Sequence, residues 1–128
     1  MSIFISIASY QDPLLVSTIF SAYKNAQNKD QLIFSVCDQS DDGIKVEEIG
    51  FRNQIHYEHV DPLFSKGPCW ARHRAQNFFN NEDYFLQIDS HTQFAPNWDV
   101  TFIDQLSKIS SLKSDDQYFN KPVITSYP

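Results

Sequence analysis

Asp89 and His91 put a carboxylate and an imidazole two residues apart, with Ser90 between them, just past the apolar run Tyr84-Phe85-Leu86-Gln87-Ile88. Hard oxygen beside borderline nitrogen is a donor pair suited to Mn²⁺, or to a similar divalent ion such as Mg²⁺. A run of β-formers that stops abruptly at polar residues reads as a buried strand of an α/β sheet, and such folds place ligands at the carboxyl ends of strands. One cation held there could carry a phosphorylated substrate, so the chemistry indicated is that of nucleotides. Two more strand ends carry polar groups: Ser9-Tyr10-Gln11-Asp12 after Ala8, and Asp38-Gln39 after Cys37. No glycine-rich loop follows the first strand, so the dinucleotide-binding and P-loop fingerprints are both absent. Side chains, loop amides and a metal-bridged diphosphate would have to do the gripping.

Each of these groups also has a plain reading. Asp89-Ser90-His91 could be a strand-end turn with a helix cap, and Arg72 a solvated helix residue. Tyr10 could pack beneath the sheet edge, and Asp38, Asp41 and Asp42 are turn formers by type. His56, His59, Cys69 and His73 form a competing set that on paper could hold zinc. Alternation along a strand over 54–60 sends His56 and His59 to opposite faces and weakens that reading, although Cys69 and His73 share a helix face.

The elements that must position these groups alternate along the chain. Strands are expected at Ile3–Ala8, Gln31–Cys37, Gln54–Val60, Tyr84–Ile88 and Pro122–Ser126. A first helix enters at Asp12-Pro13, with Asp12 as N-cap and Pro13 at the first helical position. Leu15, Ile19 and Tyr23, with Leu14, Thr18 and Ala22, make its apolar stripe. A second helix starts near Lys66-Gly67-Pro68 with Ser65 as cap and buries Ala71, Ala75, Phe78 and Phe79. A third spans Trp98–Ile109, with Trp98-Asp99 anchoring and capping it. This order implies parallel strands with helical crossovers, hence one α/β domain over residues 1–128.

Bulk properties are consistent with that. The chain has 128 residues with 11 Phe, 6 Tyr and only 3 Gly, enough to bury a real core and unlike a disordered segment. Sixteen acidic against ten basic residues, a net charge of −6, argue against a nucleic-acid partner. The opening apolar run Met1–Ala8 is too short for a membrane span and lacks a basic start, so the expectation is a cytoplasmic protein. Cys37 and Cys69 are expected as reduced core residues.

Gly67-Pro68-Cys69-Trp70-Ala71-Arg72, followed by Tyr84 to His91, Phe94 and Trp98-Asp99, resembles the N-acetylglucosaminyltransferases that modify polypeptide hydroxyproline. Those are GT-A-fold enzymes related in layout to the mucin-type polypeptide transferases. The opening Ser6-Ile7-Ala8-Ser9-Tyr10-Gln11-Asp12-Pro13 and the closing Thr125-Ser126-Tyr127-Pro128 are similar too, so the resemblance runs the length of the chain. It implies a GT-A (Rossmann-like), mostly parallel sheet flanked by helices. It also implies a UDP-sugar donor (UDP-GlcNAc or a relative), a divalent cation, and transfer to a polypeptide or glycan hydroxyl with retention of configuration.

Carried over by position, Asp89 and His91 match the metal-binding pair and Ser90 faces the donor. Ala8, Ser9 and Tyr10 match the loop that wraps uridine, and Asp38 or Gln39 could meet the base or ribose. Arg72 matches a helix arginine close to the donor; Asp89 and Arg72 are then the catalytic candidates, with no base or nucleophile named. GT-A enzymes usually continue past the point where this chain ends, so it reads as the nucleotide-binding half, apparently truncated, either a fragment or a reduced form of such an enzyme. An exposed face left by a missing half would favour a homodimer. The alternative to an enzyme is a non-catalytic sugar-nucleotide-binding or interaction module derived from a transferase.

Overall fold

The computed structural model describes residues 1–112 and 121–126. Among these residues four strands form a single parallel sheet: β1 (Ile3–Tyr10), β2 (Leu32–Gln39), β3 (Ile55–Val60) and β4 (Tyr84–Asp89), in the order β3-β2-β1-β4. The α-helices among the described residues are α1 (Leu15–Asn25), α2 (Pro68–Gln76) and α3 (Trp98–Ser110), and they complete the α/β fold.

Alternation along the strands sorts side chains between two faces. Ile3, Ile5 and Ile7 of β1 join Leu32, Phe34 and Val36 of β2 on one face, where Leu15, Ile19 and Ala22 of α1 and Trp98 of α3 close a buried core. On the other face Ala71 and Ala75 of α2 meet Cys37 and Ala8. Small side chains let α2 lie close to the sheet, and the Ser35 hydroxyl donates to the Ala75 carbonyl at 2.7 Å. The two central strands are covered on both faces, so they are almost wholly buried.

Several expectations change. α1 begins at Leu15, so Leu14 holds the cap position and is exposed, Pro13 lies in the turn before the helix, and Asp12 is not the N-cap. α2 ends at Gln76, so Phe78 and Phe79 lie beyond it and are half exposed; Phe78 stacks on His56, and Phe79 meets Phe4 and Phe85. Ser65 does not cap α2. Gly67 holds that place with φ 92° and ψ 176°, a backbone conformation nearly confined to glycine, and Pro68 follows at the first helical position. β4 is an edge strand rather than a buried one, with Phe85, Gln87 and Asp89 exposed.

The fifth strand is absent among the described residues: 122–126 are extended but join no ladder. Pro122 and Ile124 instead line an apolar cavity of about 140 Å³ with Leu86, Phe102 and Leu106. Val, Ile and Thr favour half-buried pleated surfaces, and here packing against α3 and β4 meets that preference without strand pairing. Tyr127 and Pro128, part of the resemblance, lie outside the described residues.

No helix among the described residues is long and apolar enough to cross a membrane. Neither cysteine forms a disulfide; Cys37 is buried, whereas Cys69 is exposed rather than in the core. Burial pushes the Cys37 thiol up to about 11, so it stays protonated and inert at neutral pH.

Candidate functional site

Parallel pairing brings the strand ends to one edge. Ala8 sits opposite Cys37 on one side and Asp89 on the other, Ser9 opposite Asp38, and Tyr10 opposite Gln39. Ala8, Ser9 and Tyr10 are the last residues of β1 rather than a loop, and Asp38 and Gln39 end β2 in the same way. Both strands run two residues further than their apolar composition suggests, because the ladder between them continues through polar positions. Six of the residues singled out by sequence therefore share one rim of the sheet.

The turn after β4 is held from below. Thr18, counted by sequence in an apolar stripe, donates its hydroxyl to the Ser90 carbonyl at 2.6 Å and accepts the Thr92 N–H at 3.0 Å. Asp12 takes the remaining donors. Its Oδ2 accepts the Ser90 hydroxyl at 2.6 Å and pairs with His91 Nδ1 at 2.9 Å, and its Oδ1 accepts the Leu14 N–H at 2.9 Å. The Ser90 hydroxyl, outweighing partial burial, holds the Asp12 carboxyl below the ordinary carboxylate range. The hydrogen bond to Asp12 in turn raises the His91 imidazole. Ser90 is buried beneath this network, its hydroxyl turned to Asp12.

Sequence pattern marks Asp12 only as a helix cap. The missing signal is topological: 78 residues separate Asp12 from Ser90, and only the β1–β4 pairing makes them neighbours.

Asp89 itself is exposed and meets Arg72, whose guanidinium nitrogen lies 3.6 Å from Asp89 Oδ1. Arg72 reaches it because α2 crosses from β3 back over the sheet toward β4. The next arginine along, Arg74, is tied instead to Glu58 of β3 and lies over the Trp70 ring, 5.0 Å from its centre. Beside Asp89 and His91 opens a cleft of about 680 Å³, also lined by Gln87, Thr92, Thr125 and Ser126.

Two further hollows flank the β1–β2 end of the rim. One, about 130 Å³, is lined by Ala8, Ser9, Tyr10, Gln39, Ser65, Gly67 and Pro68. Gln39 shapes it: its amide N–H donates to the Ser9 carbonyl at 2.9 Å, and its oxygen accepts the Ser65 hydroxyl. Tyr10 stands exposed at its lip. The other hollow holds Asp12, Asp38, Asp41 and Asp42, and there Asp38 accepts the Tyr57 hydroxyl at 2.7 Å. Four carboxylates in one hollow repel an anionic ligand.

The zinc alternative does not assemble. His56 faces Phe78 and His59 pairs with the Ser40 carbonyl on the opposite face of β3, and among the described residues no three His, Cys, Asp or Glu side chains are placed to hold a metal ion by themselves. A catalytic cation shared with a bound diphosphate needs fewer protein ligands than a structural metal. The donor chemistry at Asp89 and His91 fits such an ion. The carboxylate is solvent-facing, and the imidazole is oriented through Nδ1 by a carboxylate, the arrangement common behind metal-ligating histidines.

Comparison with known proteins adds one finding. The sequence model of the family described as Glycosyltransferase (GlcNAc) matches residues 40–128, more than half of the chain, including Arg72, Asp89 and His91. No curated protein and no solved structure matches it.

Proposed function

The chain belongs to the glycosyltransferase (GlcNAc) family, and from that premise we propose that it binds a UDP-sugar, UDP-GlcNAc foremost, for transfer to a hydroxyl acceptor. The hydroxyproline-modifying polypeptide N-acetylglucosaminyltransferases are the branch whose motifs it resembles. One observation carries the reading: Asp89, paired with Arg72, and His91 line one cleft, on the same rim as the hollow formed by Ala8, Ser9, Tyr10 and Gln39.

In this reading the nucleoside lies against Ala8, Ser9 and Tyr10, and Gln39 shapes the floor beneath it. The acidic hollow, lined by Asp38 among others, disfavours the diphosphate and so helps set its direction. Asp89 and His91 hold a divalent cation, Mn²⁺ by donor type, which when bound neutralises charge on the diphosphate. Arg72 adds positive potential where the leaving diphosphate gains charge. The bond between the sugar's anomeric carbon and the diphosphate oxygen breaks, and the acceptor oxygen bonds to the same face of that carbon. The acceptor's proton passes to the departing phosphate oxygen, which accounts for the lack of an assigned protein base.

The test is a panel of nucleotide sugars titrated with and without Mn²⁺, followed by an assay for free UDP. Mn²⁺-dependent binding of UDP-GlcNAc supports the reading, and slow release of UDP distinguishes an enzyme from a binding module. Absence of binding to every nucleotide sugar overturns it.

A further inference from the structure

We infer that Asp12 is a positioning residue that fixes the His91 imidazole with its proton on Nδ1, leaving Nε2 as the lone-pair nitrogen offered to the cation. This rests on the assignment of Asp89 and His91 as ligands given above. A neutral imidazole carries one N–H and one lone pair, and the partner of one nitrogen decides the role of the other. An ionised carboxylate can only accept, so the ring nitrogen 2.9 Å from Asp12 Oδ2 must be the donor. Among the described residues only Nδ1 of His91 is hydrogen-bonded.

Asp12 is itself held firmly. The Ser90 hydroxyl shares Oδ2 at 2.6 Å, the Leu14 N–H occupies Oδ1 at 2.9 Å, and the side chain is only 14% exposed. A residue just past β1 thus sets the ring angle and tautomer of one following β4, while Ser90 and Thr18 fix the backbone between. Asp12 would act on the cation through His91 without touching it.

The plain rival is that Asp12 only holds the turn that leads into α1. Asp12→Asn separates the two. Its amide oxygen still accepts the Leu14 N–H, so the turn into α1 survives. Its NH₂ takes the place of Oδ2 and can only donate, so Nδ1 becomes the acceptor and the proton moves to Nε2. Nitrogen-15 NMR of the ligand-free protein, with labelled histidine at a pH where the ring is neutral, reads this directly. The expected result is an Nδ1–H ring in the wild type and an Nε2–H ring in Asp12→Asn. An Nε2–H ring in the wild type, or the same tautomer in both proteins, overturns the inference.

A parallel titration of Mn²⁺ in the presence of UDP should show the variant weaker by about 10- to 100-fold, the usual effect of losing the partner behind a metal-bound histidine. Equal Mn²⁺ affinity despite the tautomer change also overturns it. A tautomer change in a wild-type protein that binds no Mn²⁺ with UDP leaves the ring positioning intact and removes the ligand reading instead. If Asp12→Asn fails to fold, Asp12→Ala serves: it frees the ring, and the wild-type Nδ1–H signature should be lost.

Discussion

Asp89 and Arg72 oppose each other across 3.6 Å of largely solvated space, so their ion pair adds little to stability. Their roles can therefore be separated from folding. Asp89→Asn removes the charge and keeps the shape. It should weaken Mn²⁺-dependent UDP binding by more than about 100-fold, beyond the range typical of residues one step removed from a metal. Its unfolding free energy should stay within about 0.5 kcal/mol of wild type, as for most surface substitutions. Unchanged titration heats in that variant would falsify the metal assignment. Arg72→Ala should lower the transfer rate about 10²-fold, the order seen when one preorganised electrostatic donor is lost. Equal turnover in wild type and variant would make Arg72 an ordinary helix-surface residue.

α2 delivers Arg72 to the rim, and two local features set where that helix lies. Gly67 starts it at φ 92°, with open space where a side chain would stand but a backbone conformation that other residues adopt only under strain. Gly67→Ala should cost about 1–3 kcal/mol of strain or shift the helix start. Urea unfolding would read the first outcome and a weakened UDP affinity the second. A variant unchanged in both would show that the helix start is not under this constraint. Ala71 and Ala75 are fully buried against β1 and β2, where no room remains. Ala75→Leu is expected to destabilise by about 1–3 kcal/mol through overpacking. Melting at the wild-type temperature would contradict that close contact.

Asp99 links parts of the molecule far apart in sequence. From the first turn of α3 its carboxylate accepts the Gln27 N–H at 2.9 Å and the Asn28 N–H at 2.8 Å, while the neighbouring Trp98 indole N–H donates to the Ala22 carbonyl at 2.8 Å. The anchoring expected of Trp98-Asp99 is thus directed at α1 and the turn after it, whereas the cap position of α3 belongs to Asn97. Burial alone would raise the Asp99 carboxyl, but the backbone N–H groups around it leave it below its ordinary value. A carboxyl lowered in the folded state stabilises fully above its unfolded value of about 3.9 and loses that contribution as pH falls through the folded value. Stability should therefore decline in acid below about pH 4. Asp99→Asn should lose about 1.5–3 kcal/mol at neutral pH, the worth of hydrogen bonds to a charged group, and show a shallower acid decline. Parallel acid slopes for the two proteins in urea titrations across pH 7 to 3 would rule out this role for Asp99.

Much of the architecture is legible in local pattern. The isoleucine alternation of β1, the 3.6-residue stripe of α1 and the Pro68 start of α2 each report a local rule, and local rules survive without knowledge of neighbours. The resemblance in sequence motifs points to glycosyl transfer, the class the family match supports. Legibility fails where a neighbour decides. Phe78 and Phe79 fit a helical spacing, but the helix stops at Gln76 and their rings pack on other aromatics. Residues 122–126 have strand composition, yet β preference describes a surface to pack on, not a partner to pair with.

The sequence by itself determined which residue types stand at the ends of the strands, because the apolar runs must stop where the buried sheet meets solvent. Only the tertiary structure decided that β1 lies beside β4, and with it that Asp12 reaches His91 and Arg72 reaches Asp89. Strand order is a choice among long-range pairings, and no pattern within a few residues of Asp12 encodes a partner 79 positions away.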